Sequence, residues 1–159
     1  MKQAVTGDLV DLCRQEYAFT FSAYRTIAQS ATVPFQFVTG SYDCIVLSYS
    51  LVAATQSVRM TVREAPTVTD GTSAVTPLHL NRNYSSGSSV TGYSNPTSIS
   101  GGTTILDALI PSGGNKTGGA IGNAVIWTMK KNTDYTVQLA NLGNSDTLYE
   151  FEWVCLEDR

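Results

Sequence analysis

The chain of 159 residues sets ten lysines and arginines against thirteen aspartates and glutamates, a net charge of -3, with 14% of residues charged and 42% hydrophobic. That balance lacks the basic excess of a nucleic-acid binder, and the length suits one domain, or one domain with an arm. The longest apolar runs, residues 44–54 and 124–129, are too short to cross a bilayer as a helix and are interrupted by Ser or Thr, so no membrane role is expected.

Residues 1–16 begin with one lysine and then acidic residues where a secretion signal needs an apolar core, and no signal peptide is expected. The stretch mixes Val5, Leu9, Val10, Leu12 and Cys13 with Asp8, Asp11, Arg14 and Glu16. It reads as two helical turns or an extended arm ahead of a domain over residues 17–159. A terminal arm needs an outside partner to become ordered; a neighbouring subunit is the expected one, and a disordered tail is the alternative.

From Tyr17 the hydrophobic pattern has period two, with Tyr17, Phe19 and Phe21 on one face of a half-buried strand. Residues 33–38 repeat it with Phe35 and Phe37, and Pro34 suggests an edge position or a strand start. Residues 44–54 predict a long central strand. Val58, Met60 and Val62 alternate with Arg59, Thr61 and Arg63, and the two segments are expected to pair as a hairpin. Asp70-Gly71 marks a turn.

Residues 79–104 hold Asn81-Arg82-Asn83, a run of serines and glycines, Tyr84, Tyr93, Asn95-Pro96 and Gly101-Gly102, with few aliphatic side chains. This stretch is expected to be a polar binding or assembly surface. Residues 103–110 predict another strand, and residues 111–122 a glycine-rich loop long enough to be functional or mobile. Residues 124–129, 135–140 and 147–156 close the pattern, with turns at 130–134 and 143–146. About eight to ten strands and no internal helix predict an all-β, antiparallel β-sandwich, expected to be a jelly roll with an N-terminal arm.

Signs of catalysis are sparse. His79 is the single histidine and would have to carry a metal site or a nucleophile relay alone, so a structural or surface role is the plainer reading. Residues 113–119 resemble a phosphate loop only superficially, because Asn115 breaks the order that such loops need. Glu150 and Glu152 share a strand face at a spacing that glycoside hydrolysis could use, yet such pairs are common on solvated strands. Asp107, Asp134 and Asp146 are oxygen ligands without a calcium-loop pattern. No enzyme activity, metal or cofactor is expected. The cysteines Cys13, Cys44 and Cys155 lack ligand or disulfide-framework spacing and are expected to be buried thiols. Trp127 and Trp153 lie within apolar strands and are expected in the core, whereas Tyr84 and Tyr93 are better placed for contacts.

A set of short elements carries a family resemblance. Gly71-Thr72, Pro77 with Asn81-Arg82-Asn83, the Ser/Thr-rich run, Asn95-Pro96-Thr97, Gly101-Gly102-Thr103, Trp127 with residues 131–135, and Phe151-Glu152-Trp153 together resemble the head decoration, or cement, proteins of tailed bacteriophages, over roughly residues 17–157. The resemblance implies a jelly-roll subunit, usually a homotrimer, on the outer surface of an icosahedral head, assembled in the host cytoplasm. Its partners would be the major capsid protein and sister copies, with no nucleic acid or membrane.

On that reading Leu9 and Leu12 of the arm, Asn81, Arg82, Asn83, Tyr84 and Tyr93 of the polar stretch, and Lys116 of the glycine-rich loop are the candidate contacts. Arg82 is the candidate anchor, because a guanidinium grips a carboxylate through two parallel hydrogen bonds. Its alternative role is to pin its own loop. A different class stays open, a receptor- or carbohydrate-binding module of a tail fibre or spike.

Overall fold

In the computed structural model the described residues are 16–111, 119–123 and 127–159. The predicted arm with Leu9, Leu12 and Cys13, and Lys116 of the glycine-rich loop, lie outside them. Fourteen strands run in the order β1 (Ala18–Ile27), β2 (Thr32–Val38), β3 (Asp43–Ala53), β4 (Val58–Glu64), β5 (Thr67–Thr69), β6 (Ser73–Val75), β7 (Leu78–His79), β8 (Thr91–Ser94), β9 (Thr97–Ser100), β10 (Thr103–Ile110), β11 (Gly119–Asn123), β12 (Trp127–Met129), β13 (Asp134–Asn141) and β14 (Thr147–Asp158).

Among the described residues two six-stranded antiparallel sheets and a small two-stranded one, β5 with β9, result. Of the larger two, one has the order β11-β3-β14-β1-β7 with β12 also on β3, and the other the order β10-β4-β13-β2-β8-β6. The long strands pair in a nested way: β1 with β14, β2 with β13, β3 with β11 and β12, and β4 with β10. Nested pairing of this kind, wrapped over two sheets, is the jelly roll that the strand pattern predicts.

The facing sides carry the apolar half of each period-two pattern. Phe19, Phe21, Phe35, Phe37, Leu51, Val62, Val137, Tyr149, Phe151 and Trp153 are all buried. Rings from the two sheets interlock: Phe21 meets Phe37 edge-on at 5.3 Å, Phe35 stacks on Phe151 at 5.8 Å, and Phe37 lies 4.9 Å from Trp153. Such contacts add to the burial of large rings and fix how the sheets sit on each other. Trp127 is half-buried against Trp153. Cys44 and Cys155 are buried free thiols. A hydrogen bond with Cys44, and then burial, push the Cys155 thiol well above its usual range.

Two expectations are corrected. Strands β3 and β4 do not form a hairpin, because β3 belongs to the first sheet and β4 to the second. The link between them turns across the sandwich, held by the Thr147 hydroxyl, which accepts hydrogen bonds from the backbone N–H groups of Thr55 and Gln56 at 3.2 and 3.3 Å. A period-two pattern states that one face is buried but not in which sheet, so sequence adjacency misleads here. The end of the expected glycine-rich loop is also strand, since β11 pairs with β3 from Gly119 to Asn123.

Pro34 stands third in β2, and its carbonyl accepts from Asn95 N at 3.1 Å just beyond the end of β8. Its missing N–H therefore falls where the ladder needs no donor.

Candidate binding surface

The polar stretch, residues 79–104, is more built than its composition suggests. It belongs to a long excursion between β4 and β10 whose pieces extend both sheets: β7 adds to β1, and β8 with β6 continues the second sheet past β2. Val90 and Ser94 within it are buried.

Three polar devices hold this excursion. The Glu157 carboxylate, only 2% exposed, accepts from the backbone N–H of Ser89 at 2.8 Å and of Val90 at 3.3 Å and from the Ser88 hydroxyl. Arg159 donates to the same carboxylate at 2.9 Å and to the Gly87 carbonyl, with its guanidinium 4.7 Å from the Tyr17 ring and 5.2 Å from that of Tyr42. A buried carboxylate is tolerable only when paired and hydrogen-bonded in this way.

The second device is Gln36, fully buried, whose amide donates to Asp70 and Asp134 at 2.8 Å each. Beside it Gly71 is required, because a Cβ there would stand 2.2 Å from the Ser94 carbonyl oxygen. The third is Arg25, which donates to Ser94 Oγ at 3.1 Å and Asn95 Oδ1 at 3.3 Å.

The sequence-predicted contacts separate into two places. Residues 81–84 make a turn in which Asn81 Oδ1 accepts from Asn83 N at 3.1 Å and the Asn81 carbonyl accepts from Tyr84 N at 3.2 Å. This presents Arg82, Asn83 and Tyr84 to solvent. Tyr93 lies on β8, half-buried, in the wall of a cleft rather than in that turn.

The other titratable candidates are dispersed. Asp107 is bound by Arg59, whose hydrogen bond holds its carboxyl below the usual carboxylate range. Asp146 accepts from Gln29 N at 3.0 Å, and Asp134 is committed to Gln36. Among the described residues no group of three or more His, Cys, Asp or Glu side chains is gathered to hold a metal ion. Glu150 is exposed, while Glu152 accepts from Thr20 Oγ1 at 3.1 Å.

The cleft, of about 420 Å³, lies between the β1–β7 edge of one sheet and the β6–β8 edge of the other. His79 sits in it with its ring 4.5 Å from that of Phe19 and its Nε2 against the Ser86 carbonyl oxygen. No protein-family model matches this chain. No curated protein matches it either.

Two features escaped the sequence reading. One is Glu157, although its signal was present: Tyr149, Phe151, Trp153 and Cys155 define the inward face of β14, and Glu157 continues it at the same period. The other is an apolar row on the outer face of the first sheet. Tyr24, Glu150 and Val52 lie abreast on β1, β14 and β3, with Leu148 beside them. Tyr24, Leu148 and Val52 are 77%, 51% and 36% exposed.

Proposed function

We propose that the protein is a virion structural protein, a capsid decoration protein that binds the outer surface of an icosahedral phage head and bridges neighbouring capsomers. The observation that carries the reading is the exposed apolar row of Tyr24, Val52 and Leu148 on the outer face of one sheet of the sandwich. Exposed apolar patches on a well-packed domain mark contact surfaces, and this one suits a sister copy in a homotrimer. The pinned turn at residues 81–84 offers Arg82 and Tyr84 to the major capsid protein. A subunit that binds only the assembled shell stabilises it by mass action, and many copies bridging subunits add avidity.

The test is co-sedimentation with heads stripped of the protein, followed by a heat challenge. Saturable binding at a multiple of the threefold positions, with heads surviving hotter, is the expected result; an absence of binding to heads overturns the reading. The cleft at His79 favours the second reading, a receptor- or carbohydrate-binding module.

A further inference from the structure

Strand β1 is paired along its whole length on one side only. β14 covers that side from Ala18 to Ile27, whereas β7 reaches no further than Phe19 and Thr20 on the other. In an antiparallel ladder the N–H and C=O of one residue point to the same side, and the side alternates along the strand. The Tyr17 carbonyl accepts from Glu157 N at 3.0 Å, towards β14, and the Ala18 carbonyl accepts from Leu80 N at 3.0 Å, towards β7. The even-numbered residues of β1 therefore face the β7 side. Past Thr20 these are Ser22, Tyr24 and Thr26, all exposed, and among the described residues nothing pairs with their backbone groups.

A free edge of this kind is a template for another strand, and proteins usually blunt it. Elsewhere this fold does so: β6 and β7 have three and two residues, and β10 carries a bulge between Thr104 and Leu106 and the charge of Asp107. The free run of β1 has no proline and no bulge. Its single charge, Arg25, is drawn to Ser94 Oγ and Asn95 Oδ1 at the end of β8 in the other sheet.

We infer that two copies of this chain pair edge to edge through β1, antiparallel about a twofold axis at Tyr24. What selects a second copy is the fit of the segment to itself. The register sets Tyr24 opposite its own counterpart and Ser22 opposite Thr26 of the second copy. All three residues face the edge, so each N–H meets a C=O. Ala23 then falls opposite Arg25, and no like charges face each other across the new ladder. A centre at Ser22 is blocked, because Thr20 is already held by Leu78, and one at Arg25 would set two guanidinium groups opposite each other. On the outer face the two Tyr24 rings come abreast, and the row of Val52, Glu150 and Tyr24 continues into the same row of the second copy. A twofold contact requires self-complementarity of this kind. The pairing extends the sheet and leaves its outer face uncovered, so it does not compete with the face contact proposed above. The inference does not rest on the capsid reading.

The experiment follows the full chain by sedimentation and by backbone amide exchange over a concentration series. Expected is a species that doubles in mass as concentration rises. Exchange should slow with the doubling at Ser22, Tyr24 and Thr26 and stay unchanged at Phe21, Ala23 and Arg25, whose N–H groups already face β14. Two double variants test the register without touching the apolar row: Ser22→Lys with Thr26→Lys, and Ser22→Lys with Thr26→Glu. The first sets like charges opposite at both ends of the ladder and should weaken pairing about tenfold; the second sets opposite charges there and should pair at least as well as the parent. Both positions are exposed, so both variants should fold. Three results would overturn the inference: no doubling of mass at any concentration; slow exchange at the three amides before any doubling, which would give the edge to another segment of the same chain; or equal pairing by the two variants.

Discussion

Replacing Glu157 by alanine removes the acceptor shared by Ser88 Oγ, Ser89 N, Val90 N and the Arg159 guanidinium, in a place only 2% exposed. Cutting one partner out of a buried, hydrogen-bonded charge pair costs about 3–5 kcal/mol, because the remaining groups stay desolvated. Against a typical total of about 5–15 kcal/mol that is a large fraction of the stability. Glu157→Gln keeps one acceptor oxygen and turns an amide towards Arg159, so its cost should be smaller, about 1–3 kcal/mol. Urea denaturation of the two variants and the parent gives the global difference, and amide exchange at Ser89 and Val90 reports whether the loss is centred on the excursion. A Glu157→Ala penalty under about 1 kcal/mol, the level of an exposed ion pair, with unchanged exchange at those two amides, would refute the pinning role.

The two deeply buried tyrosines make a contrasting pair. Tyr149 OH has no partner, so Tyr149→Phe should be neutral or stabilising, whereas Tyr135 OH accepts from Lys130 N at 2.7 Å and donates to Glu64 at 2.9 Å, so Tyr135→Phe should cost about 1–3 kcal/mol; thermal melts decide between these outcomes. Burial is the main cause pushing both phenols up to about 12 from 10.0, so the folded chain holds those protons more tightly than the unfolded one. Stability is then fully present below pH 10.0 and lost as pH rises towards about 12, and alkaline unfolding followed by tyrosinate absorbance should come later in the double Phe variant. Arg82→Ala should leave the melting temperature nearly unchanged, within about 0.5 kcal/mol, because the side chain is exposed, yet should weaken head binding by at least about 1 kcal/mol in the co-sedimentation assay.

The face of each long strand was readable because buried and exposed residues alternate, as with Phe19 and Phe21 in β1 or Tyr149 to Cys155 in β14. The partner of each strand was not. Val58, Met60 and Val62 would bury equally well beside β3 or across from it, and only the closure of the whole roll places them in the other sheet. In the excursion and the strand beneath it, composition hid structure: Ser94 on β8 and Gln36 on β2 are fully buried through hydrogen bonds that hydrophobic periodicity does not register. The turn that displays Arg82 was readable from its Asn residues, whereas the cleft was not, because Phe19, Val75 and Val90 meet there from segments far apart in the chain.

The nested pairing also sets an order in time. β1 finds a ladder partner along its whole length in β14, with Ala18 opposite Leu156, and β3 pairs with that same strand. During synthesis the first strand must wait, unpaired on that edge, until nearly the whole sandwich has emerged, and the entropy of closing so long a loop comes due before the contacts repay it. Folding should therefore be slow and cooperative, with the unpaired edges of β1 and β3 exposed to aggregation until β14 inserts between them.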